Sequence, residues 1–336
     1  MKIAVVGAGS WGTATACLLG KKNYEVSLWA LEEEVAAGIT ADGRNPLYLP
    51  DIDIPPAVRA TSDMNEAVKE ADVVIFVVVS HAMREVIKRA KPALSDTAIL
   101  ISQTKGVENE TLMRMSQILE DVLGESARGR IAVLSGPNHA EEVSRERPSA
   151  TVIAAYDRDV AARLQEMFMT PYFRVYTNPD VVGVEIGGAA KNIVALAAGM
   201  SDGLGFGDNS KASLLTRGLA EITRLGVAVG ARPMTFSGLA GVGDLVVTCF
   251  SQHSRNRLVG ERLAKGETVA EIYKDIRMIA EGVQTSRAVR DLARRQDVVM
   301  PITDYVYEVI YENRRPAEIV ADLMSRSAKE ESEELT

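Results

Sequence analysis

A single lysine lies in the middle of the most apolar helical stretch of the chain, residues 181–201, VVGVEIGGAAKNIVALAAGMS. Only Glu185 and Lys191 are charged there, and apolar residues cover every face, which predicts a helix buried inside the protein. Burial strips an ammonium of its hydration and lowers the pKa of lysine, which suits proton transfer. Two interpretations stay open: Lys191 is an acid/base group, or it is paired with a carboxylate or reaches the surface.

A glycine-rich turn near the N-terminus points to a phosphate-containing ligand. A short β-branched run leads directly into GAGSWG, residues 7–12, which is followed by a helical stretch and a second strand. This is G-x-G-x-x-G in the strand–turn–helix setting that the motif requires. Gly7 permits the tight turn, Gly9 lets the backbone approach a pyrophosphate, and Gly12 allows the helix to pack closely on the strand. The pattern predicts a dinucleotide site, and a glycine turn without a ligand is the alternative.

The end of the second strand bears on which dinucleotide is preferred. A carboxylate there binds the ribose 2′-hydroxyl of NAD, whereas a cation accommodates the 2′-phosphate of NADP. The chain reads WALEEE over residues 29–34 and has no Arg or Lys at this point. Glu32 can bind the ribose, or the three glutamates can open the next helix, where acidic side chains favour the helix dipole. The sequence therefore favours NAD over NADP.

Strands and helices alternate through the rest of the first half, which predicts a mostly parallel sheet covered by helices on both faces. Ligands of such sheets bind beyond the carboxyl ends of the strands. Polar stretches stand at three of these ends: residues 80–81, 103–106 and 135–140. Lys105, in the second of them, is either a functional cation or an ordinary surface lysine. Further strands are predicted at residues 72–79, 98–102, 131–134, 151–155 and 173–176.

The second half of the chain, from about residue 181, reads as helical. The turn-rich sequence TNPD at residues 177–180 separates a first domain, residues 1–179, from an all-helical domain, residues 180–327. An acidic tail, residues 328–336, is expected to be disordered because it has almost no apolar side chains.

Two polar segments of the helical half could carry chemistry. One is the sequence GVGD, which ends at Asp244. The other is Ser254-Arg255-Asn256, where a hydroxyl, a cation and an amide follow one another, and Arg can grip a phosphate through a forked, charge-assisted contact. The alternative for this second segment is an ordinary helix start with Ser254 as the N-cap.

Composition excludes several classes of protein. The chain has 336 residues, a formal net charge of −8 and 46% hydrophobic residues, which fits a globular protein of two domains and argues against a general nucleic-acid binder. Cys17 and Cys249 make no disulfide framework and fit a reducing compartment. No uninterrupted apolar run reaches 18 residues. We expect a cytoplasmic protein without a membrane span and without a metal site.

Taken together, these motifs resemble those of the bacterial NAD(P)-dependent glycerol-3-phosphate dehydrogenases, in order from about residue 2 to residue 327. The resemblance implies a Rossmann-type α/β domain with a parallel sheet, followed by an all-α domain. It also implies a homodimer that interconverts sn-glycerol 3-phosphate and dihydroxyacetone phosphate for glycerophospholipid synthesis. The matching segments are GAGSWGT (residues 7–13), KG (105–106), SGPNHA (135–140), GAAKN (188–192), GVGDL (241–245) and SRN (254–256).

The resemblance also assigns roles to residues. Lys191 is the acid/base, and Lys105 and Asp244 complete the catalytic set. The substrate site implied by the match consists of Lys105, Gly136, Asn138, Lys191, Asp244, Ser254, Arg255 and Asn256. The cofactor site implied by the match consists of Gly7, Gly9, Ser10, Trp11, Gly12, Lys105, Ala140, Arg255, Ile279 and Glu281. Two departures matter: the family often has Ser or Thr in place of Asn138, and often has His or Arg at or beside Leu31.

These roles form a coherent reaction. Hydride transfer from a nicotinamide to a ketone leaves a developing alkoxide, which needs a proton and positive charge. Lys191 can supply both, with a pKa that a second cation at Lys105 lowers, while Asp244 orients it and Arg255 holds the substrate phosphate. Two alternatives remain: a related two-domain dehydrogenase acting on another hydroxy acid or ketoacid, and a dinucleotide sensor without activity.

Overall fold

The computed structural model describes residues 1–276, 279–325 and 330. The chain forms two compact units. The sheet unit comprises Met1–Thr104 and Met115–Val181, and the helical unit comprises Lys105–Arg114 and Val182–Thr336. The domain limits expected from the sequence stay a prediction. The tail expected at residues 328–336 lies, apart from Glu330, outside the described residues.

One eight-stranded sheet forms the centre of the sheet unit. Its strands are β1 (Lys2–Val6), β2 (Glu25–Trp29), β3 (Val58–Thr61), β4 (Val73–Phe76), β5 (Ile99–Ser102), β6 (Ile131–Ser135), β7 (Ser149–Ala155) and β8 (Phe173–Asn178). Their order is β3-β2-β1-β4-β5-β6-β7-β8, and all neighbours are parallel except the antiparallel pair β6 and β7. The strand order reverses between β1 and β4, which is where doubly wound sheets bind their ligands. The predicted α/β class is confirmed.

Central strands of this sheet are buried throughout because helices cover both of their faces. Every residue of β4 (VVIF) and β5 (ILIS) is buried, as expected for parallel strands in the middle of a sheet. The sequence pattern does not predict β3, since this four-residue edge strand has only its first residue buried.

Two helices of the sheet unit, α3 (Met64–Val68) and α7 (Arg158–Phe168), have an aspartate side chain as N-cap. Asp63 accepts the backbone N–H groups of Asn65 and Glu66, and Asp157 accepts those of Asp159 and Val160. Glu33 and Glu34 lie in the first turn of α2, so these glutamates do open the helix that follows β2. The helices are α1 (Ser10–Lys21), α2 (Glu33–Asp42), α3 (Met64–Val68), α4 (Met83–Ala90), α5 (Met115–Leu123), α6 (Ala140–Ser144) and α7 (Arg158–Phe168).

The helical unit packs a second core around one long helix, α8. Its helices are α8 (Val181–Gly203), α9 (Asp208–Ala228), α10 (Pro233–Phe236), α11 (Asp244–Phe250), α12 (Arg255–Ala264), α13 (Val269–Asp275), α14 (Glu281–Arg295), α15 (Pro301–Tyr311) and α16 (Pro316–Met324). Backbone comes very close to backbone in this core. A Cβ added at Gly199 of α8 would lie 1.9 Å from the carbonyl oxygen of Arg257 in α12, so only glycine fits there.

Within the described part of the chain, two segments have the length and hydropathy of membrane-spanning helices. The first is α8, and 89% of its most apolar window is buried in the protein. The second, Pro233–Phe250, has 44% of its window buried and is divided into α10, a π-helical turn at Leu239–Gly243 and α11. The helix predicted around Lys191 is therefore a buried core helix of the helical unit.

A buried carboxylate, Glu221 of α9, holds the start of α15. Glu221 is 4% exposed, and its two oxygens accept the backbone N–H groups of Ile302 (2.8 Å) and Thr303 (3.3 Å). Burial raises the pKa of Glu221 to about 7, and Asp304 acts in the same direction. The two backbone hydrogen bonds and Arg224 oppose this rise because they favour the ionised form.

We expect Glu221→Gln to remove a pH dependence of folding stability. The folded chain keeps the Glu221 proton up to about pH 7, whereas the unfolded chain releases it near the ordinary pKa of 4.5. Stability from this group is therefore fully present below pH 4.5 and falls as the pH rises to about 7. The loss amounts to about 3 kcal/mol. Urea unfolding across this pH range measures it. Glu110→Gln, at an exposed position, should keep the wild-type dependence of the free energy of unfolding on pH. The same pH dependence in Glu221→Gln as in the wild type would contradict the prediction.

Candidate active site

The glycine-rich turn joins β1 to α1 and has the packing that the motif predicts. Gly7 has a φ of +119°, and a Cβ there would lie 2.3 Å from the carbonyl oxygen of Val77, just past β4. A Cβ at Gly12 would lie 1.8 Å from the carbonyl oxygen of Gly7. At Gly9, however, a Cβ would meet no atom within 4 Å. Space is therefore open in front of the N-terminus of α1, where a pyrophosphate can bind the free backbone N–H groups.

Ser10 and Trp11 lie within the glycine-rich sequence itself, and Ala140 starts a helix that packs against α1. The hydroxyl of Ser10 donates to the carbonyl oxygen of Tyr48 at 2.8 Å. The ring centroid of Trp11 lies 6.5 Å from that of Phe173. Ala140 is buried at the start of α6, which packs against α1. Each side chain thus has a packing role, and their contacts with a dinucleotide stay predictions.

The loop after β6 presents an unused acceptor. Gly136 has a φ of +148°, and a Cβ there would lie 3.1 Å from the Cα of Thr151. The Nδ2 of Asn138 donates to the Oγ1 of Thr151 at 3.0 Å, and that hydroxyl donates to the carbonyl oxygen of Ser135 at 2.9 Å. In the described part of the chain, the buried Oδ1 of Asn138 has no hydrogen-bond partner. Asn138 thus offers an acceptor to a ligand, and its role toward the substrate, like that of Gly136, stays a prediction.

In the helical unit, Lys191 and Lys105 share one carboxylate. Lys191 of α8 is 5% exposed and Asp244, the first residue of α11, is 1% exposed. The Nζ of Lys191 bonds to Asp244 Oδ1 and, at 2.6 Å, to the Oγ1 of Thr248. The Nζ of Lys105 bonds to the other oxygen of Asp244 at 2.6 Å. The carboxylate pairing that the sequence left open for Lys191 is therefore present, but two lysines share one carboxylate, so the cluster carries a net charge of +1 while both lysines are protonated.

Burial and neighbouring charges shift the pKa values of Lys191 and Asp244. Burial lowers the pKa of Lys191 to about 7, and the charge of Lys105 lowers it too, whereas Asp244 raises it. Burial alone would raise the pKa of Asp244, but Lys105 and Lys191 hold it below the ordinary value. At neutral pH, Asp244 is ionised and Lys191 exchanges its proton readily.

Close backbone packing brings Asp244 to Lys191. Gly187 lies one helical turn before Lys191, and a Cβ on it would lie 2.5 Å from the carbonyl oxygen of Ala240. Ala240 is part of the π-helical turn that leads into α11. The sequence predicts that small residues of this helix allow neighbouring backbone to approach. In the structure, Gly187 allows the approach of the turn that leads into Asp244.

A short segment carries Lys105 to the same carboxylate. Residues Lys105–Arg114 belong to the helical unit, and Val107 lies in its apolar core. Arg114 forms a buried ion pair with Glu185 of α8, while the backbone N–H of Glu108 donates to the carbonyl oxygen of Met113 at 3.0 Å. The segment is thus fixed at both ends, by Arg114 and by the contact of Lys105 with Asp244.

Ser254 and Arg255 start α12. The hydroxyl oxygen of Ser254 accepts the backbone N–H of Arg257 at 3.3 Å, so Ser254 is an N-cap, as one interpretation of the sequence proposed. Arg255 is exposed and donates to the carbonyl oxygen of Ile279 at 3.1 Å. The other donors of the Arg255 guanidinium are of the kind that can bind an anion. The substrate and cofactor contacts predicted for Ser254, Arg255 and Ile279 stay predictions.

An amide pair joins α12 to α8 and α14. The Nδ2 of buried Asn256 donates to the Oδ1 of Asn192 at 3.0 Å, and its Oδ1 accepts the backbone N–H of Gly282 at 2.9 Å. Glu281, half-buried, is the first residue of α14. Asn192 follows Lys191 directly, so this pair fixes the helix next to the lysine. The ligand roles predicted for Asn256 and Glu281 stay predictions.

Two polar contributors were not identified from the sequence. Thr248 binds Lys191 and also donates to the carbonyl oxygen of Asp244 at 2.6 Å. Its spacing of four residues from Asp244 places both on one face of α11 and could have indicated it. Asn192 lies in the matching segment GAAKN, but no role is predicted for it from the sequence, because its partner Asn256 is 64 residues away.

Among the described residues, no cluster of three or more His, Cys, Asp or Glu side chains could hold a metal ion.

A doubly wound sheet with a glycine-rich turn, together with a buried lysine paired with a carboxylate, is typical of nicotinamide-dependent oxidoreductases.

Comparisons with known proteins identify the family. Residues 2–161 match the model of the NAD-dependent glycerol-3-phosphate dehydrogenase N-terminus, and residues 180–321 match that of its C-terminus. A glycerol-3-phosphate dehydrogenase [NAD(P)+] 2 of Salinibacter ruber is 51% identical and covers 98% of this chain and 96% of that protein. A glycerol-3-phosphate dehydrogenase [NAD(P)+] of Pelotomaculum thermopropionicum is 49% identical, and the match covers 99% of this chain and 96% of that protein. The crystal structure of glycerol-3-phosphate dehydrogenase from Coxiella burnetii superposes with a TM-score of 0.92 at 37% sequence identity. The superposition covers 97% of this chain and 99% of that chain.

The chain therefore belongs to the NAD(P)-dependent glycerol-3-phosphate dehydrogenases, a family of oxidoreductases.

Proposed function

We propose that the chain catalyses reversible hydride transfer between NAD(P)H and dihydroxyacetone phosphate, giving sn-glycerol 3-phosphate, with Lys191 as the acid/base. One observation carries this proposal. A buried lysine with a pKa of about 7 shares Asp244 with a second lysine, and the net positive charge that results is what a developing alkoxide requires.

The residues present fit the dinucleotide. The open space at Gly9 and the tight packing of Gly7 and Gly12 leave the start of α1 accessible to a pyrophosphate. When bound, the nicotinamide supplies or accepts the hydride. The polypeptide binds the dinucleotide through this turn and handles the proton through Lys191.

Lys191 acts on the substrate oxygen. In the reducing direction the ketone oxygen gains negative charge, and the ammonium of Lys191 stabilises this charge and donates its proton. In the oxidising direction neutral Lys191 accepts the hydroxyl proton. Asp244 orients Lys191 and Lys105 through separate oxygens, and Arg255 with the N-terminus of α12 holds the substrate phosphate.

The test follows the absorbance of reduced nicotinamide with dihydroxyacetone phosphate, using NADH and NADPH in parallel. Dihydroxyacetone without phosphate is the matched control substrate. We expect oxidation that depends strongly on the phosphate. Faster turnover of a phosphate-free hydroxy acid or ketoacid would favour the other-substrate alternative, and no turnover of any of them would favour the sensor.

The lowered pKa of Lys191 predicts a pH profile. Reduction needs protonated Lys191, so kcat should be full below pH 7 and fall as the pH rises through about 7, while oxidation should rise over the same range. Lys105→Met removes a charge that lowers the pKa of Lys191. The fall in reduction activity and the rise in oxidation activity should therefore both move to higher pH, and kcat should be lowered roughly 10²-fold. Lys88→Met, an exposed lysine of the sheet unit, is the control, and an unchanged profile in Lys105→Met would contradict the assignment.

Assembly and location complete the proposal. The family resemblance supports a homodimer in the cytoplasm whose product feeds glycerophospholipid synthesis. Sedimentation at several concentrations tests the dimer. Dependence of growth on added glycerol 3-phosphate after deletion of the gene tests the metabolic role.

A further inference from the structure

A buried asparagine in the sheet unit fixes the turn between α2 and β3 to the glycine-rich turn. The Nδ2 of Asn45 donates to the carbonyl oxygen of Ala8 and to the Oγ1 of Thr13, both at 2.8 Å. Its Oδ1 accepts the backbone N–H groups of Leu47 (3.2 Å) and Tyr48 (3.1 Å). Asn45 has no exposed surface, and these four hydrogen bonds hold Tyr48 in one place.

Tyr48 connects this turn to the end of β2. Its carbonyl oxygen accepts the hydroxyl of Ser10, in the first turn of α1, at 2.8 Å. Its own hydroxyl donates to the Oε1 of Glu32 at 2.8 Å. A continuous set of hydrogen bonds therefore runs from the glycine-rich turn through Tyr48 to a single carboxylate.

Glu32 lies where a doubly wound fold contacts the ribose of its dinucleotide. It follows β2 and occupies the N-cap position of α2, yet its side chain caps no backbone N–H group. Tyr48 bonds to Oε1 of Glu32 and not to Oε2. Within the described residues, the Oε2 of Glu32 accepts no hydrogen bond. One carboxylate oxygen is thus anchored and the other remains available to a hydroxyl group.

Two cations of the segments around this site have partners elsewhere. Arg44, which precedes Asn45 in the chain, pairs with Asp53 at 2.7 Å. Arg89 stacks on the ring of Trp29 at 5.3 Å. Leu28 packs in the core with α1, and neighbouring strand residues face opposite sides of a sheet. Trp29 and Arg89 therefore lie on the side away from the α1 core.

We propose that Glu32, held by Tyr48, selects the ribose 2′-hydroxyl of NAD(H) and repels the 2′-phosphate of NADP(H), with Asn45 and Ser10 as positioning residues. This inference rests on the proposed function and deepens it by naming what distinguishes the two cofactors. The free oxygen of Glu32 accepts the 2′-hydroxyl, whereas a phosphate in its place would meet a fixed negative charge. Anchoring by Tyr48 matters because a mobile carboxylate could swing away from that phosphate.

Binding of the adenine half of each cofactor separates this inference from catalysis. The full-length protein is titrated calorimetrically with ADP-ribose and with its 2′-phosphate, and kcat/KM is measured with NADH and NADPH. We expect roughly 10²-fold preference for the unphosphorylated form. Glu32→Gln keeps an acceptor for Tyr48 but removes the charge, and should reduce this preference about tenfold or more, chiefly through tighter binding of the phosphorylated form. Tyr48→Phe should reduce it several-fold.

Glu33→Gln is the matched control, since it removes the same charge one residue away in the first turn of α2. It should leave the preference at the wild-type value. Equal binding of both compounds by the wild type, or equal effects of Glu32→Gln and Glu33→Gln, would overturn the inference while the dinucleotide site stands. Failure of the protein to bind either compound would overturn the proposed cofactor site together with it.

Discussion

Lys191→Ala should lower kcat for the reduction of dihydroxyacetone phosphate by roughly 10⁴-fold, because one side chain supplies both the proton and positive charge at the developing alkoxide. The fold should survive the change, since Asp244 keeps its hydrogen bond to Lys105. Dinucleotide binding should be unchanged, as the glycine-rich turn belongs to the sheet unit. Steady-state kinetics and a titration with NADH measure the two effects separately.

The chain offers a closely matched control for this variant. Lys211 is a second buried lysine of the helical unit, and it shares Asp202 with Arg257, both contacts being 2.6 Å. Lys211→Ala therefore removes a paired buried lysine and leaves its carboxylate with another cation, as Lys191→Ala does. We expect kcat of Lys211→Ala to stay within about tenfold of wild type. Comparable kcat values for the two variants would show that Lys191 is only a structural ion-pair partner.

Asp244→Asn should destabilise the protein by about 3–5 kcal/mol, because it leaves two lysine ammonium groups together without an anion. It should also lower kcat by roughly 10²-fold, since Lys191 and Lys105 lose the group that orients them. Asp244 raises the pKa of Lys191, so its loss should move the fall in reduction activity to lower pH. Urea unfolding and the pH dependence of kcat measure these changes.

A double variant separates repulsion from lost packing. Asp244→Asn combined with Lys105→Met leaves one ammonium at the site in place of two, and we expect it to recover about half of the stability lost in the single variant. If the stability loss of the double variant equals the sum of the losses of the two single variants, the charge explanation is contradicted. A single Asp244→Asn variant with wild-type stability and pH profile would remove Asp244 from the proposed mechanism.

Local sequence patterns determined those parts of the protein that depend on neighbouring residues. The spacing of Gly7, Gly9 and Gly12 after an apolar strand defines the phosphate-binding turn, since the required geometry lies within a few residues. The apolar stretch around Lys191 likewise predicts a buried helix, and α8 is one. This stretch left open whether Lys191 reaches the surface, and the 5% exposure of Lys191 in the structure decides for burial and a lowered pKa.

Tertiary structure decided which side chains meet. Asp244 lies 53 residues from Lys191 and 139 residues from Lys105. Their contact depends on the missing side chain at Gly187 and on the π-helical turn before α11. In the sheet unit, Glu32 gains its anchor only when the turn at Asn45 packs on the glycine loop. Periodicity reports which face of an element is buried, whereas these partnerships depend on how distant elements pack, and no local pattern encodes that.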